Sequence, residues 1–157
     1  MKKNFSYTWW TILTFVSFGL WLFGIVAEKW GGTPACRMCL IIRHLFLITG
    51  IFSSLTGLMQ EKAIGRAFGW ATTLLVMALF GVAAYHSGLQ YGWIRPAKFC
   101  AIHHSAPSLD SFLGIPTASC HERTLEIMGL PASLYVMILS AFSTVACVMA
   151  SRKPSKK

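Results

Sequence analysis

Three stretches of this chain go without a charge for about the length needed to cross a lipid bilayer. Asn4 to Ala27 contains no ionisable side chain except Tyr7, and Ala67 to Tyr85 and Ile127 to Ser151 lack Asp, Glu, Lys, Arg and His altogether. Roughly 20 apolar residues wound as a helix traverse the hydrocarbon core of a membrane. The composition agrees, with 55% of residues apolar and only 12% charged. The chain reads as an all-α integral membrane protein.

A fourth span is concealed by its own charge. Leu45 to Met59 is too short to cross at ~1.5 Å per residue, so the helix has to begin near Ala35 and carry Arg43 into the membrane. The expected spans are about 7–27, 35–59, 67–85 and 131–150. They form an antiparallel four-helix transmembrane bundle, a single membrane domain with one long outer loop at about 86–130. The opening "MKKN" has the look of a signal-peptide start. The apolar run after it outlasts the roughly 7–15 residues of such a peptide, and "VAEKWGGTPA" offers no clear small-x-small cleavage site. Span one is therefore expected to stay as a helix.

The net charge of +9 would suit a nucleic-acid binder if it were spread over one face, but it is not. Lys2, Lys3, Lys62, Arg66, Arg152, Lys153, Lys156 and Lys157 all fall on one side of the four spans, with Glu61 as the only acid there. The other side mixes Lys29, Arg37, Arg43, Arg95, Lys98 and Arg123 with Glu28, Asp110, Glu122 and Glu126. Basic residues close to the spans mark the cytoplasmic side. Both termini are thus expected inside, and the basicity encodes orientation rather than nucleic-acid binding.

Five cysteines remain to be placed. Cys36, Cys39, Cys100 and Cys120 fall on the outer side, where thiols pair, and Cys147 lies deep in span four toward the cytoplasm. Cys36 with Cys39 and Cys100 with Cys120 suggest themselves, and the other pairings of four cysteines stay open. Taken alone, Cys100 and Cys120 are as well read as a structural staple, and Cys147 as a small apolar residue. Cys36 and Cys39 differ, because a two-residue gap closes so short a loop that its chain-entropy stabilisation is small. A C-x-x-C pair is a poor staple and a common redox couple.

In "TPACRMCLIIRH" Thr33 suits an N-cap and Pro34 the first helical position, which puts Cys36 in the first turn. There the unpaired N–H groups and the positive end of the helix dipole stabilise a thiolate. Cys39 and Arg43 follow on the same helical face, Arg43 ~6 Å deeper than Cys39. An arginine at this depth can snorkel to the headgroups. Beside a redox pair it can instead stabilise a thiolate and polarise an oxygen of a bound electron acceptor. No G-x-G-x-x-G, P-loop or C-x-x-C-H is present, and a bilayer-dissolved quinone, whose carbonyl oxygens accept from arginine, would serve as acceptor. His86, at the outer end of span three, is placed to approach the same level, although a lone histidine at a helix end is by default interfacial. His44 points off the Cys39/Arg43 face. The competing reading is a membrane metal or haem protein using the cysteines with His44 and His86. The second half of the chain lacks the paired C-x-x-C or H-x-x-x-H spacing of a zinc site, and no metal is expected.

Taken together these residues resemble the DsbB-type disulfide-generating membrane oxidoreductases of bacteria. The likeness covers nearly the whole chain: four spans, C-x-x-C opening the second, arginine four residues after the second cysteine, and a further cysteine pair before span four. "ASCHERTLEIMGLP" and "YHSGLQ" resemble the segments that lead into the family's fourth helix and end its third. The resemblance implies that a periplasmic DsbA-like thioredoxin-fold protein attacks a Cys100–Cys120 disulfide and is held at Cys100. Cys120 then attacks Cys36, and the Cys39 thiolate passes electrons to ubiquinone or menaquinone beside Arg43, with His86 close by. Two departures touch partner docking: only 19 residues separate Cys100 from Cys120, and Pro131 follows Gly129-Leu130 directly. Elsewhere "SLDSFLG" suits a short surface helix. Trp9, Trp10, Trp30, Trp70 and Trp93 fall near span ends as an aromatic belt, and Trp21 suits packing.

Overall fold

The computed structural model describes residues 2–31, 35–95 and 125–151. Four helices dominate: α1 (Lys2–Gly31), α2 (Arg37–Leu58), α3 (Ala63–Gln90) and α4 (Ala132–Ser151). All four are long and apolar enough to cross a membrane. At ~1.5 Å per residue the shortest, α4, still reaches ~30 Å, the thickness of the hydrocarbon core.

Side-chain pairings fix an up-down-up-down order. Ser53 of α2 donates to the Trp10 carbonyl of α1 at 2.9 Å, while Arg43 meets Glu28 near their other ends. The Thr56 and Thr72 hydroxyls touch at 3.3 Å across α2 and α3, and Cys39 meets His86 at the opposite end of that pair. The Ser87 hydroxyl donates to Ser133 at 3.0 Å across α3 and α4. Neighbours in sequence pack most closely, and α1 meets α4 through Trp9, whose ring stands edge-on to Phe142. Hydroxyls satisfied by a neighbouring helix or by their own carbonyl four residues back suit lipid, where water cannot relieve them.

The buried residues form three layers. Trp10, Leu13, Val76, Cys147 and Ala150 fill one end, Ile42, Phe46, Leu79 and Ala83 the middle, and Cys36, Met38 and Leu89 the other end. Trp21 packs against the middle layer, as its position inside span one suggests. Trp10 corrects the belt assignment: it is 2% exposed and belongs to the core, whereas Trp30, Trp70 and Trp93 are exposed. Apolar side chains such as Phe15, Leu74 and Phe142 cover the outside, as a bundle solvated by lipid requires.

Several boundaries differ from those read in the sequence: α1 and α3 begin earlier, at Lys2 and Ala63, and α2 begins at Arg37 and not Ala35. The first helix continues past Ala27 to Gly31, and the third continues past Tyr85 to Gln90. His86 therefore lies within a helix and not at the start of a loop. Ahead of α4, Glu126–Ile127 (β1) pairs antiparallel with Leu130–Pro131 (β2) around Met128 and Gly129, both with positive φ. That is the backbone of a two-residue primed turn, which glycine adopts without strain and Met128 only at a cost.

Candidate active site

Cys36 itself caps α2. Its backbone is extended, at φ −79° and ψ 166°, and its sulfur accepts the Cys39 backbone N–H at 3.3 Å. Thr33 and Pro34 lie outside the described residues, and Cys36, expected at the third helical position, is itself the cap. The physical role is strengthened, because the sulfur itself satisfies one of the N–H groups that a helix start leaves open. Cys39 follows in the first turn, with its sulfur 3.0 Å from that of Cys36. Both are thiols, and a bond of ~2.05 Å between them would need only about 1 Å of further approach.

The third member comes from α3. His86 Nε2 sits 3.5 Å from Cys39 Sγ and 3.8 Å from Cys36 Sγ. The ring is 2% exposed, and its Nδ1 meets no hydrogen-bond partner among the described residues. A helix-end histidine at the interface is thus replaced by a buried imidazole against two sulfurs. Below it Leu89 closes the layer, with Val82 and Tyr85 packed alongside. One turn further on, Ser133 of α4 accepts from Ser87 and donates to Gln90 Oε1 at 2.5 Å, tying the end of α3 to the start of α4. This clasp buries Ser87 and Gln90, whose polar character in "YHSGLQ" reads as loop.

Cys36 lies ahead of the spanning segment Arg37–Leu58. Its thiol is pushed up to about 12 by the hydrogen bond with Cys39 and by burial, while the His86 imidazole pulls the other way. In a reduced pair so close together, the first proton lost leaves a charge that the second sulfur must share.

Arg43 points elsewhere. Its Nη1 donates to Glu28 Oε2 of α1, and the two side chains are 20% and 24% exposed. The aliphatic stem passes over Gly24, where a Cβ would stand 3.3 Å from Arg43 Cδ. Glycine thus leaves the groove through which the arginine crosses to α1. Sequence reasoning missed Glu28 by ending span one at Ala27. The signal was present, since an intramembrane arginine calls for a partner and Glu28 is the acid nearest the outer end of span one. His44 turns away, with Nδ1 2.7 Å from the Leu40 carbonyl and its ring exposed. Cys147 lies in the opposite layer of the bundle, where Trp9 Nε1 donates to its sulfur at 3.5 Å. Cys100 and Cys120 lie outside the described residues.

Cys36, Cys39 and His86 each offer one potential ligand atom, and the three atoms lie within 4.8 Å of one another. Chemically the trio can therefore exchange two electrons as a dithiol–disulfide couple, move a proton to a ring nitrogen, or close on a soft cation. No curated protein matches the chain at significant similarity. The family profile described as "Disulfide bond formation protein DsbB" matches residues 6–150, all four helices included. With a vicinal thiol pair at the mouth of a four-helix membrane bundle, the chain belongs to the DsbB family, multi-pass membrane oxidoreductases of disulfide formation.

Proposed function

We propose that this chain makes disulfides de novo, drawing electrons from a soluble DsbA-like thioredoxin-fold protein and delivering them to a membrane quinone, ubiquinone or menaquinone. The observation that carries the reading is the meeting of Cys36, Cys39 and His86 at one end of the bundle. A donor set suited to carbonyl oxygens lies at the same end: the unpartnered Nδ1 of His86, and the N–H groups of Arg43 beyond the one given to Glu28. A bound quinone supplies the oxidising power, accepting two electrons and two protons.

The chain's own residues do the remainder. Cys100 and Cys120 form the outer couple that meets the partner: its thiolate attacks their disulfide, is held at Cys100, and releases Cys120. The Cys120 thiolate attacks Cys36 of a Cys36–Cys39 disulfide and frees Cys39. The partner's second thiol then displaces Cys100, which displaces Cys36 from Cys120. The outer disulfide is restored and the Cys36–Cys39 pair is left reduced, each step a thiolate displacement governed by the acidity of the leaving sulfur. Cys36 is buried, so this exchange requires a local opening at the head of α2. When that dithiol is oxidised, His86 Nε2 takes the Cys39 proton and Arg43 orients the acceptor. Across the cycle one partner dithiol becomes a disulfide, and its two electrons and two protons leave to the quinone. The charge distribution supports a bacterial inner membrane setting, with both termini cytoplasmic and the cysteines facing the periplasm.

The test uses the purified chain, a reduced DsbA-like protein and a soluble quinone analogue, following quinone absorbance. Cys100→Ser should stop turnover with the partner while quinone alone still oxidises the Cys36–Cys39 dithiol, as read by thiol alkylation and mass spectrometry. Cys36 and Cys39 remaining reduced in Cys100→Ser under excess quinone would overturn the relay.

A further inference from the structure

The three potential ligand atoms at the head of α2 have separations that a redox couple alone does not require. A tetrahedral zinc ion with Zn–S bonds of about 2.3 Å and Zn–N bonds of about 2.05 Å sets its S···N distances near 3.6 Å and its S···S distance near 3.7 Å. Here His86 Nε2 stands 3.5 Å from Cys39 Sγ and 3.8 Å from Cys36 Sγ, already at those values. Only the sulfurs, 3.0 Å apart, would have to open by a fraction of an ångström. The distance change that admits an ion is opposite in sense to the one that forms a disulfide.

Charge points the same way. Arg43 is paired with Glu28, so its charge is already compensated. Two thiolates so close together repel one another, and the helix N-terminus, the Cys39 N–H and the His86 imidazole offset only part of two full charges. A divalent cation makes the cluster neutral, which favours it over a monovalent ion in a site of low polarity. Cysteine and imidazole together select soft or borderline metals over calcium or magnesium.

We propose that the reduced protein captures one thiophilic divalent cation of the zinc and cadmium class on Cys36 Sγ, Cys39 Sγ and His86 Nε2, and that the bound ion and the Cys36–Cys39 disulfide exclude one another. Capture replaces two thiol protons by one M2+, releasing two H+ and changing no oxidation state. Disulfide formation removes both thiolates with two electrons and leaves no sulfur charge to hold the ion. Three protein ligands leave a fourth position for water, as in sites whose metal is exchangeable rather than structural. The ion is thus an inhibitor of the reduced state and not a resident cofactor. Capture rests on geometry and charge alone; only its consequence for turnover rests on the quinone reading above.

The test takes the full chain carrying Cys100→Ser and Cys120→Ser, so that the outer pair cannot contribute, purified in detergent, reduced and freed of reductant. Cadmium is titrated against it, reading the thiolate-to-metal charge-transfer band and the bound metal per chain. One ion per reduced chain is expected, with none after oxidation by diamide and none in Cys39→Ser. His86→Ala and His86→Gln should each weaken capture by about tenfold or more, and Cys147→Ser should leave it unchanged. Undiminished affinity in both folded His86 variants, retention of cadmium by the oxidised chain, or no capture by the reduced chain would each overturn the proposal. In the wild-type chain, zinc should slow quinone-driven oxidation of the dithiol and a chelator should restore it. Oxidation at full rate with zinc bound would refute mutual exclusion. Normal cadmium capture in a chain that quinone cannot oxidise would refute the quinone reading and leave the metal site standing.

Discussion

The two ends of the bundle each bury a cysteine, and their neighbours set them apart. At one end Cys147 is 0% exposed, packed with Trp10, Leu13, Val76 and Ala150, and among the described residues its hydrogen-bonding neighbour is the Trp9 indole N–H. Indole nitrogen only donates, so nothing there takes a proton from the thiol or shares its electrons. At the other end Cys36 is 1% exposed, yet a second sulfur lies 3.0 Å away and an imidazole nitrogen 3.8 Å away. Burial is common to both thiols. A proton acceptor and a second sulfur within reach belong to one, and the comparison teaches that reactivity here is a property of neighbours.

The sharpest way to break this contrast is serine in place of each cysteine. Cys39→Ser should reduce quinone-coupled disulfide formation to background, whereas Cys147→Ser should keep turnover within about twofold. Steady-state assays with a reduced partner protein decide it, and loss of activity in a well-folded Cys147→Ser chain would move the chemistry to the wrong end.

Next in size is the imidazole. His86→Ala should slow oxidation of the dithiol by about 10²-fold, the low end of general acid–base effects, with the Cys36–Cys39 disulfide still able to form under a strong chemical oxidant. Rapid-mixing measurements on the pre-reduced chain would show this, and an unchanged rate would make His86 a packing residue like Trp9.

The ion pair should matter less. Arg43→Gln is expected to raise the apparent quinone KM by about tenfold, equivalent to ~1.4 kcal/mol if KM tracks binding. Arg43→Lys should raise it less, since the charge stays and the planar fork is lost. Glu28→Gln should have a smaller effect of the same sign, because it frees the guanidinium without removing it. Equal kinetics in all three would leave Arg43 as an anchor.

The smallest effect sits on the clasp. Ser133→Ala removes the hydroxyl between Ser87 and Gln90, and should cost about 1 kcal/mol of stability while sparing turnover. Thermal unfolding in detergent, compared with the same substitution at Ser140, whose hydroxyl bonds its own helix, would sharpen the contrast between interhelical and local hydroxyls.

The spans, the thiol pair and the arginine were legible because each is a local pattern: an apolar run, a spacing, a charge inside an apolar run. What escaped depends on register between helices. Glu28 read as loop since its partner lies on another span, and no feature of span one alone shows the pairing. "HSGLQ" reads as polar and therefore exposed, but Ser87 and Gln90 are buried by a hydroxyl supplied by α4, and His86 is carried inward with them. Cys36 was placed at the third helical position because Thr33 and Pro34 look like a start signal. The sulfur performs the capping that a hydroxyl was expected to perform. Trp10 went to the belt by its position near a helix end, although its carbonyl accepts from Ser53 of α2 and its ring is buried in the core.

The Glu28–Arg43 pair also bears on how the chain enters the bilayer. Presented alone, α2 must bring in a fixed cation that costs about 2.5–3.5 kcal/mol at mid-helix and less toward the ends. The carboxylate that neutralises it sits on the preceding helix, so synthesis delivers the acid before the base. Entering as a helical hairpin, the two helices present lipid with a dipole instead of two charges. The first helix then acts as an escort, carrying the counter-ion that lets the second settle with its arginine at depth.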